Sequence, residues 1–144
     1  MKFSQEVLEA HKLTLQSLQN SYAPYSGLHV AASLKIRGNT NITGGVNVEN
    51  ASYGGTICAE RSAVVSAISQ FGSPLEIEFV LVISDLEREE PIPPCGMCLQ
   101  VLQEFADPDF DVYLGDIKGV KKAYKFSQLL PLAFNRQSFT PRTT

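Results

Sequence analysis

The stretch Ile77-Glu78-Phe79-Val80-Leu81-Val82-Ile83 decides the fold. An acidic, proline-bearing loop follows it, then Pro94-Cys95-Gly96-Met97-Cys98, then Phe110-Asp111-Val112-Tyr113-Leu114. The first run is short and nearly all apolar, the mark of a central strand buried on both faces. Pro94 suits the first turn of a helix, and Leu99, Val101, Leu102 and Phe105 carry that helix to a break at Asp107-Pro108. Strand, helix and strand in this order imply a parallel pair joined by a crossover helix.

Working outward, Ser4 can cap a helix that runs to about Asn20, with a stripe of Val7, Leu8, Leu15 and Leu18 and with His11 at its edge. Val30, Ala32, Leu34 and Ile36 alternate along a strand, Gly38-Asn39 turns the chain, and Ile42 to Val48 returns as a hairpin partner. Gly44-Gly45 marks a bulge or a close approach of backbone. Thr56 offers an N-cap for a helix whose Ala63, Val64, Ala67 and Ile68 recur at helical spacing up to Phe71-Gly72, and its small residues suggest tight packing on a sheet. Downstream, Val120 to Phe126 reads as a further strand, and Ser127 caps a short helix before Pro131. The expectation is an α/β fold, a three-layer α/β/α domain with a mixed five-stranded sheet over residues 1–136, followed by a loose polar tail at 137–144.

A chain of 144 residues supports one domain with a real core. The formal charge of −3 argues against a polynucleotide ligand, which needs clustered Lys and Arg. The one basic cluster, Lys118, Lys121, Lys122 and Lys125, is short and reads as a solvated face. No apolar run approaches the roughly 20 residues that span a bilayer. Met1 to Glu6 turns polar at once, unlike a secretory leader, so the sequons at Asn41 and Asn50 carry no weight and a reducing, cytoplasmic setting is expected.

All three cysteines fall where one zinc ion could use them: Cys95 and Cys98 in one motif, and Cys58 in Cys58-Ala59-Glu60. A disulfide between Cys95 and Cys98 would leave the Cys58 motif unexplained. Three ligands with an open position are the arrangement of catalytic zinc, whereas four protein ligands close a structural one. Cys95 and Cys98 share a face of a helical turn, and a helix N-terminus favours thiolate over thiol. Cys58 and Glu60 converge only if a helix begins there. Three thiolates on Zn²⁺ leave a net negative charge, which Arg61 can offset by donating to a cysteine sulfur, while Glu60 can accept a proton from water. Asn47 and Glu49 alternate on the second strand and point to one face.

These motifs resemble the cytidine deaminase family, in its small one-domain form acting on free nucleosides. The resemblance rests on Cys58-Ala59-Glu60-Arg61 with Pro94-Cys95-Gly96-Met97-Cys98, on Tyr22-Ala23-Pro24-Tyr25-Ser26, on Asn47-Val48-Glu49-Asn50-Ala51-Ser52-Tyr53, and on Leu129-Leu130-Pro131 before Phe134. It implies that Cys58, Cys95 and Cys98 hold zinc and that Glu60 moves protons from water to cytosine N3 and then to departing ammonia. It further implies that Asn47 and Glu49 bind the ribose and that backbone at Ala59 and Cys95 reads the base. The assembly implied is a homotetramer in which Tyr53 and Phe134 reach a neighbouring site. Leu28 stands where the family usually has a phenylalanine that packs on the pyrimidine, and Ala31 where it usually has glycine, which bears on substrate preference.

The expected reaction is hydrolysis of cytidine and 2′-deoxycytidine to the uridine forms in pyrimidine salvage. A second reading keeps the chemistry on another aminated nucleoside or base. A third is a non-catalytic, zinc-stabilised binding protein, with His29 as the candidate to close the metal site.

Overall fold

A computed structural model describes residues 2–139. In chain order the elements are α1 (Gln5–Leu18), β1 (Val30–Ile36), β2 (Ile42–Val46), α2 (Ala59–Phe71), β3 (Ile77–Ser84), α3 (Gly96–Gln103), β4 (Ala106–Asp116), β5 (Gly119–Lys125) and α4 (Phe126–Leu129). Short 3₁₀ turns lie at Tyr53–Gly55 and Arg136–Ser138. The five strands form one sheet in the order β2-β1-β3-β4-β5. Only β3 and β4 run parallel, joined by α3 as the crossover. This is the mixed sheet and α/β class expected from the central apolar run.

Strand alternation sorts the core into two layers. Ala32 and Leu34 of β1, Val80 and Val82 of β3, and Val112 and Leu114 of β4 face α2 and α3, where they meet Ala59, Ala63, Ala67, Leu99 and Leu102. Ala31, Phe79, Leu81 and Ile83 face the other way, against Val7, Ala10 and Leu18 of α1.

The inner face of α1 differs from the expected stripe. Val7, Ala10, His11, Thr14 and Leu18 are its buried residues, whereas Leu8 and Leu15 are exposed. The reason lies across the interface: β1 presents Ser33 and Lys35 on this side, so α1 meets it with polar partners. Thr14 Oγ1 lies 2.8 Å from Ser33 Oγ, and Lys35 pairs with Glu6. His11, expected at an edge, is buried and donates from Nε2 to the Asp116 carbonyl at 2.8 Å.

Several boundaries also differ. The N-caps of α2 and α3 are Cys58 and Cys95, not Thr56, and Pro94 stands just outside its helix. Strand β4 begins at Ala106 and runs through Asp107-Pro108. There the pairing with β3 jumps from Ile77↔Ala106 to Phe79↔Asp111, so Pro108 sits where no ladder hydrogen bond is required. The last helix starts at Phe126 rather than at Ser127, with Gln128 Oε1 accepting from the Lys125 N–H at 2.8 Å. Of the tail expected from 137, Gln137 and Ser138 belong to a 3₁₀ turn, and 140–144 lie outside the described residues. Each lysine of the basic cluster has an acidic partner: Lys118 with Glu87, Lys121 with Asp116, Lys122 with Glu90 and Lys125 with Asp111.

One close approach fixes where α2 starts relative to the sheet. A Cβ on Gly45 would stand 2.3 Å from Ala63 N and 2.6 Å from Ala59 O, distances no side chain can occupy. On Gly44 a Cβ would meet nothing nearer than 3.6 Å. The β1–β2 register is regular, so the glycine pair serves the close approach and not a bulge. Gly45→Ala should therefore cost about 3 kcal/mol by overpacking. Gly44→Ala should stay within about 0.5 kcal/mol of wild type, as ordinary surface changes do. Urea unfolding of the two variants reads the difference.

Candidate active site

Two helix N-termini meet at the end of the sheet where β3 leads into α3. Cys58 caps α2 and Cys95 caps α3, both with extended backbone and neither with a side-chain capping hydrogen bond. Their carbonyls start the helices by accepting from Ser62 N–H at 3.0 Å and Leu99 N–H at 2.9 Å. Both sulfurs are thus free to point into the gap, together with Cys98 from the first turn of α3. All three Sγ atoms lie within 4.8 Å of one another, with Cys95 and Cys98 3.5 Å apart. Sulfurs at about 2.3 Å from one tetrahedral zinc stand about 3.8 Å apart, so the cradle fits that ion. Among the described residues no other His, Cys, Asp or Glu atom joins the group. His29 is engaged elsewhere, its Nδ1 lying 3.0 Å from Ser21 Oγ. Three soft ligands and no fourth are the catalytic pattern rather than the structural one.

The electrostatics favour bound cation. The Cys58 thiol is drawn down to about 5, chiefly by a hydrogen bond from Cys98 and then by Arg61, against the opposing effect of burial. Cys98 keeps the shared proton and is pushed up. Arg61 Nη2 donates to the Thr56 carbonyl at 3.0 Å and reaches Cys58 Sγ at 3.6 Å. Glu60 is only 4% exposed, and burial raises its carboxyl above the usual range. The Cys58 thiolate pushes the same way, while the Glu60 backbone N–H and the Cys98 thiol pull against them.

A cavity of about 190 Å³ opens over the sulfurs. Cys58, Cys95, Ala59 and Glu60 line it, with Leu28, Val30, Val82, Ile92 and Pro93 as apolar wall and Asn47 and Glu49 as polar groups. A second space of about 260 Å³ adjoins it through Ser26, Glu49 and Thr56 and is lined also by Tyr25 and Tyr53. Nearly all the residues expected at the site are therefore brought together. Phe134 is not: it is 57% exposed, packs against Phe139 with ring centroids 5.2 Å apart, and does not line this cavity.

Asn47 and Glu49 do share a face, but both are partly engaged. Glu49 accepts from the Tyr25 and Ser26 N–H groups at 2.8 and 3.2 Å and from the Ser26 hydroxyl, which together lower its pKa. Asn47 Nδ2 donates to the Leu28 carbonyl at 2.8 Å, and its Oδ1 accepts from the Val30 N–H at 2.9 Å. The walls Ile92 and Pro93 and the Ser26 hydroxyl were not anticipated from the sequence. The only signal for them was their place beside motifs already singled out.

Comparison with known proteins agrees with this geometry. The profile of the cytidine and deoxycytidylate deaminase zinc-binding region matches residues 4–114. Cytidine deaminase from Halalkalibacterium halodurans is 40% identical over 88% of this chain and 92% of its own length. The enzyme of the same name from Sporosarcina psychrophila is 35% identical over 92% of this chain and 96% of its own length. Among solved structures, cytidine deaminase from Burkholderia pseudomallei superposes with a TM-score of 0.78 at 36% identity, covering 92% of this chain and all of that one. Because the profile runs through both cysteine motifs and the relatives align along almost their whole length, this chain belongs to the zinc-binding cytidine and deoxycytidylate deaminase family.

Proposed function

We propose that this chain is a zinc-dependent cytidine deaminase in which Glu60 carries the proton traffic, converting cytidine and 2′-deoxycytidine to uridine and 2′-deoxyuridine with release of ammonia. The observation that carries the reading is a buried carboxyl with a raised pKa lining the same cavity as the sulfur cradle. A general acid–base works best when its pKa lies near the working pH, and burial moves Glu60 in that direction. Zinc held by Cys58, Cys95 and Cys98 supplies the Lewis acidity that makes water a nucleophile at neutral pH.

Glu60 takes a proton from the attacking water as oxygen bonds to C4, and delivers it to N3 of the ring. It then passes the second proton to the exocyclic nitrogen, which leaves as ammonia while the C4 carbonyl forms. Arg61 offsets the extra negative charge of three thiolates. Leu28 and the apolar wall take the pyrimidine, and backbone at Ala59 and Cys95 reads its edge. A carboxylate has about four acceptor positions, so Glu49 keeps room for a sugar hydroxyl beside its loop contacts. Asn47 and Glu49, both lining the cavity, favour a nucleoside over a free base.

Exposed apolar side chains support assembly into a homotetramer that shares sites. Tyr53 is 76% exposed and Leu132 94%, beside the half-exposed Phe134. Phe134 then stacks in a neighbour's cavity rather than its own. No helix among the described residues is long and apolar enough to cross a membrane. The setting proposed is the cytoplasm, and the role pyrimidine salvage.

Glu60→Gln should lower ammonia release from cytidine by about 10²–10⁴-fold, the range for a lost general acid–base. Zinc content, read by atomic absorption, should stay at the wild-type level. A near-normal rate in this variant defeats the proposed role.

The same substitution should reveal what burial of the acid costs. The folded-state pKa of Glu60 lies above its ordinary value, so its contribution to stability is complete at acid pH and is lost as pH rises through the raised value. In chelator-treated protein, the stability of Glu60→Gln relative to wild type should therefore grow from pH ~5 to pH ~8. Denaturant titrations at the two pH values measure it.

Light scattering should give a mass four times that of one chain. Phe134→Ala should raise KM for cytidine while leaving that mass unchanged.

A further inference from the structure

The side chain of Asn47 is oriented by groups whose chemistry leaves no choice. The Val30 N–H can only donate, and it meets Oδ1. The Leu28 carbonyl can only accept, and it meets Nδ2. Ser21 Oγ also lies against Oδ1, so the single Ser21 hydroxyl proton is committed there. The His29 Nδ1 atom stands 3.0 Å from that same serine oxygen. With the serine proton spent, the ring nitrogen must be the donor, and His29 carries its proton on Nδ1. One Nδ2 hydrogen of Asn47 is left without an acceptor among the described residues, on a side chain that lines the substrate cavity.

We propose that Ser21 and His29 are positioning residues for substrate recognition. Their relay, His29 Nδ1–H to Ser21 Oγ–H to Asn47 Oδ1, holds the asparagine amide with its free N–H aimed at a sugar hydroxyl. This rests on the reading of Asn47 as a sugar contact. Each donation onto Oδ1 also polarises the amide and strengthens its remaining N–H as a donor. The backbone here is pinned independently of the relay. Tyr22 N–H donates to the Asn47 carbonyl at 3.1 Å, Asn47 N–H to the Val30 carbonyl at 3.1 Å, and Glu49 N–H to the Tyr22 carbonyl at 2.8 Å. Loss of the serine hydroxyl thus leaves the amide on its Val30 and Leu28 contacts alone, held less firmly and with a weaker free N–H, without moving the strand.

Two measurements test this. In the intact protein the two histidines should be held in opposite tautomers, since His11 donates from Nε2 to a carbonyl and His29 from Nδ1 to a hydroxyl. Imidazole ¹⁵N NMR at alkaline pH should show one ring of each kind, and an Nε2–H tautomer at His29 overturns the relay.

Kinetics on cytidine and on 2′,3′-dideoxycytidine, which lacks the lower sugar hydroxyls, form the second test. Ser21→Ala should raise KM for cytidine about fivefold, the loss of one net hydrogen bond, with a much smaller change in kcat. It should leave KM for the dideoxy compound near wild type. His29→Leu should behave alike, and His29→Asn, which keeps a donor, should recover most of the loss. An equal loss on both substrates, or no loss on either, overturns the proposal while leaving Asn47 its role. If Asn47→Ala keeps the wild-type preference for cytidine over the dideoxy compound, the sugar-contact reading fails and the relay's function with it.

Discussion

The meeting of two helix N-termini at the end of the sheet, beside Val30 of β1 and Val82 of β3, is the constraint on which everything else depends. Each terminus brings unpaired N–H groups and the positive end of a helix dipole, and each is capped by a cysteine rather than by an oxygen side chain. A sulfur at that position gives up a capping hydrogen bond and gains a direction: it points out of the helix into the gap. The partial positive charges that an ordinary cap would satisfy are left to stabilise thiolates. The cradle is thus electrostatically prepared for a cation before any cation arrives.

Holding α2 there requires the sheet to let it approach. Gly45 does this on β2, with Ala59, Ala63 and Ala67 supplying a helix face thin enough to come close. The first turn of α2, which carries Cys58 and buries Glu60, is seated on that contact. Packing and chemistry therefore meet at the same residues. The Glu60 carboxyl proposed to move protons is buried in the same helix turn that positions Cys58 two residues before it, and the burial raises its pKa. A functional group is destabilised by the fold that makes it useful, a recurring feature of active sites.

The polar wall of the cavity is built differently. Asn47 and Glu49 leave the end of β2 and reach over the cavity, held less by packing than by hydrogen bonds to a loop. Tyr25 and Ser26 hold Glu49, while Ser21, Leu28 and Val30 hold Asn47. These partners spend most of the hydrogen-bonding capacity of the two side chains and so decide which donor and which acceptor remain for a ligand.

Much of this was legible in the residues themselves. The apolar run Ile77–Ile83, the crossover after it and the hairpin before it fixed the sheet, because strand burial imposes its own pattern. The cysteine spacing and Glu60 identified the metal chemistry, because few other reactions need those groups together. What the sequence could not reveal depended on partners distant along the chain. The polar inner face of α1 followed from Ser33 and Lys35 across the interface, and the orientation of the Asn47 amide from the Val30 N–H and the Leu28 carbonyl. Local pattern determines which elements form and which atoms can react; only the tertiary structure decides what each side chain faces, since that is set by residues no spacing rule connects.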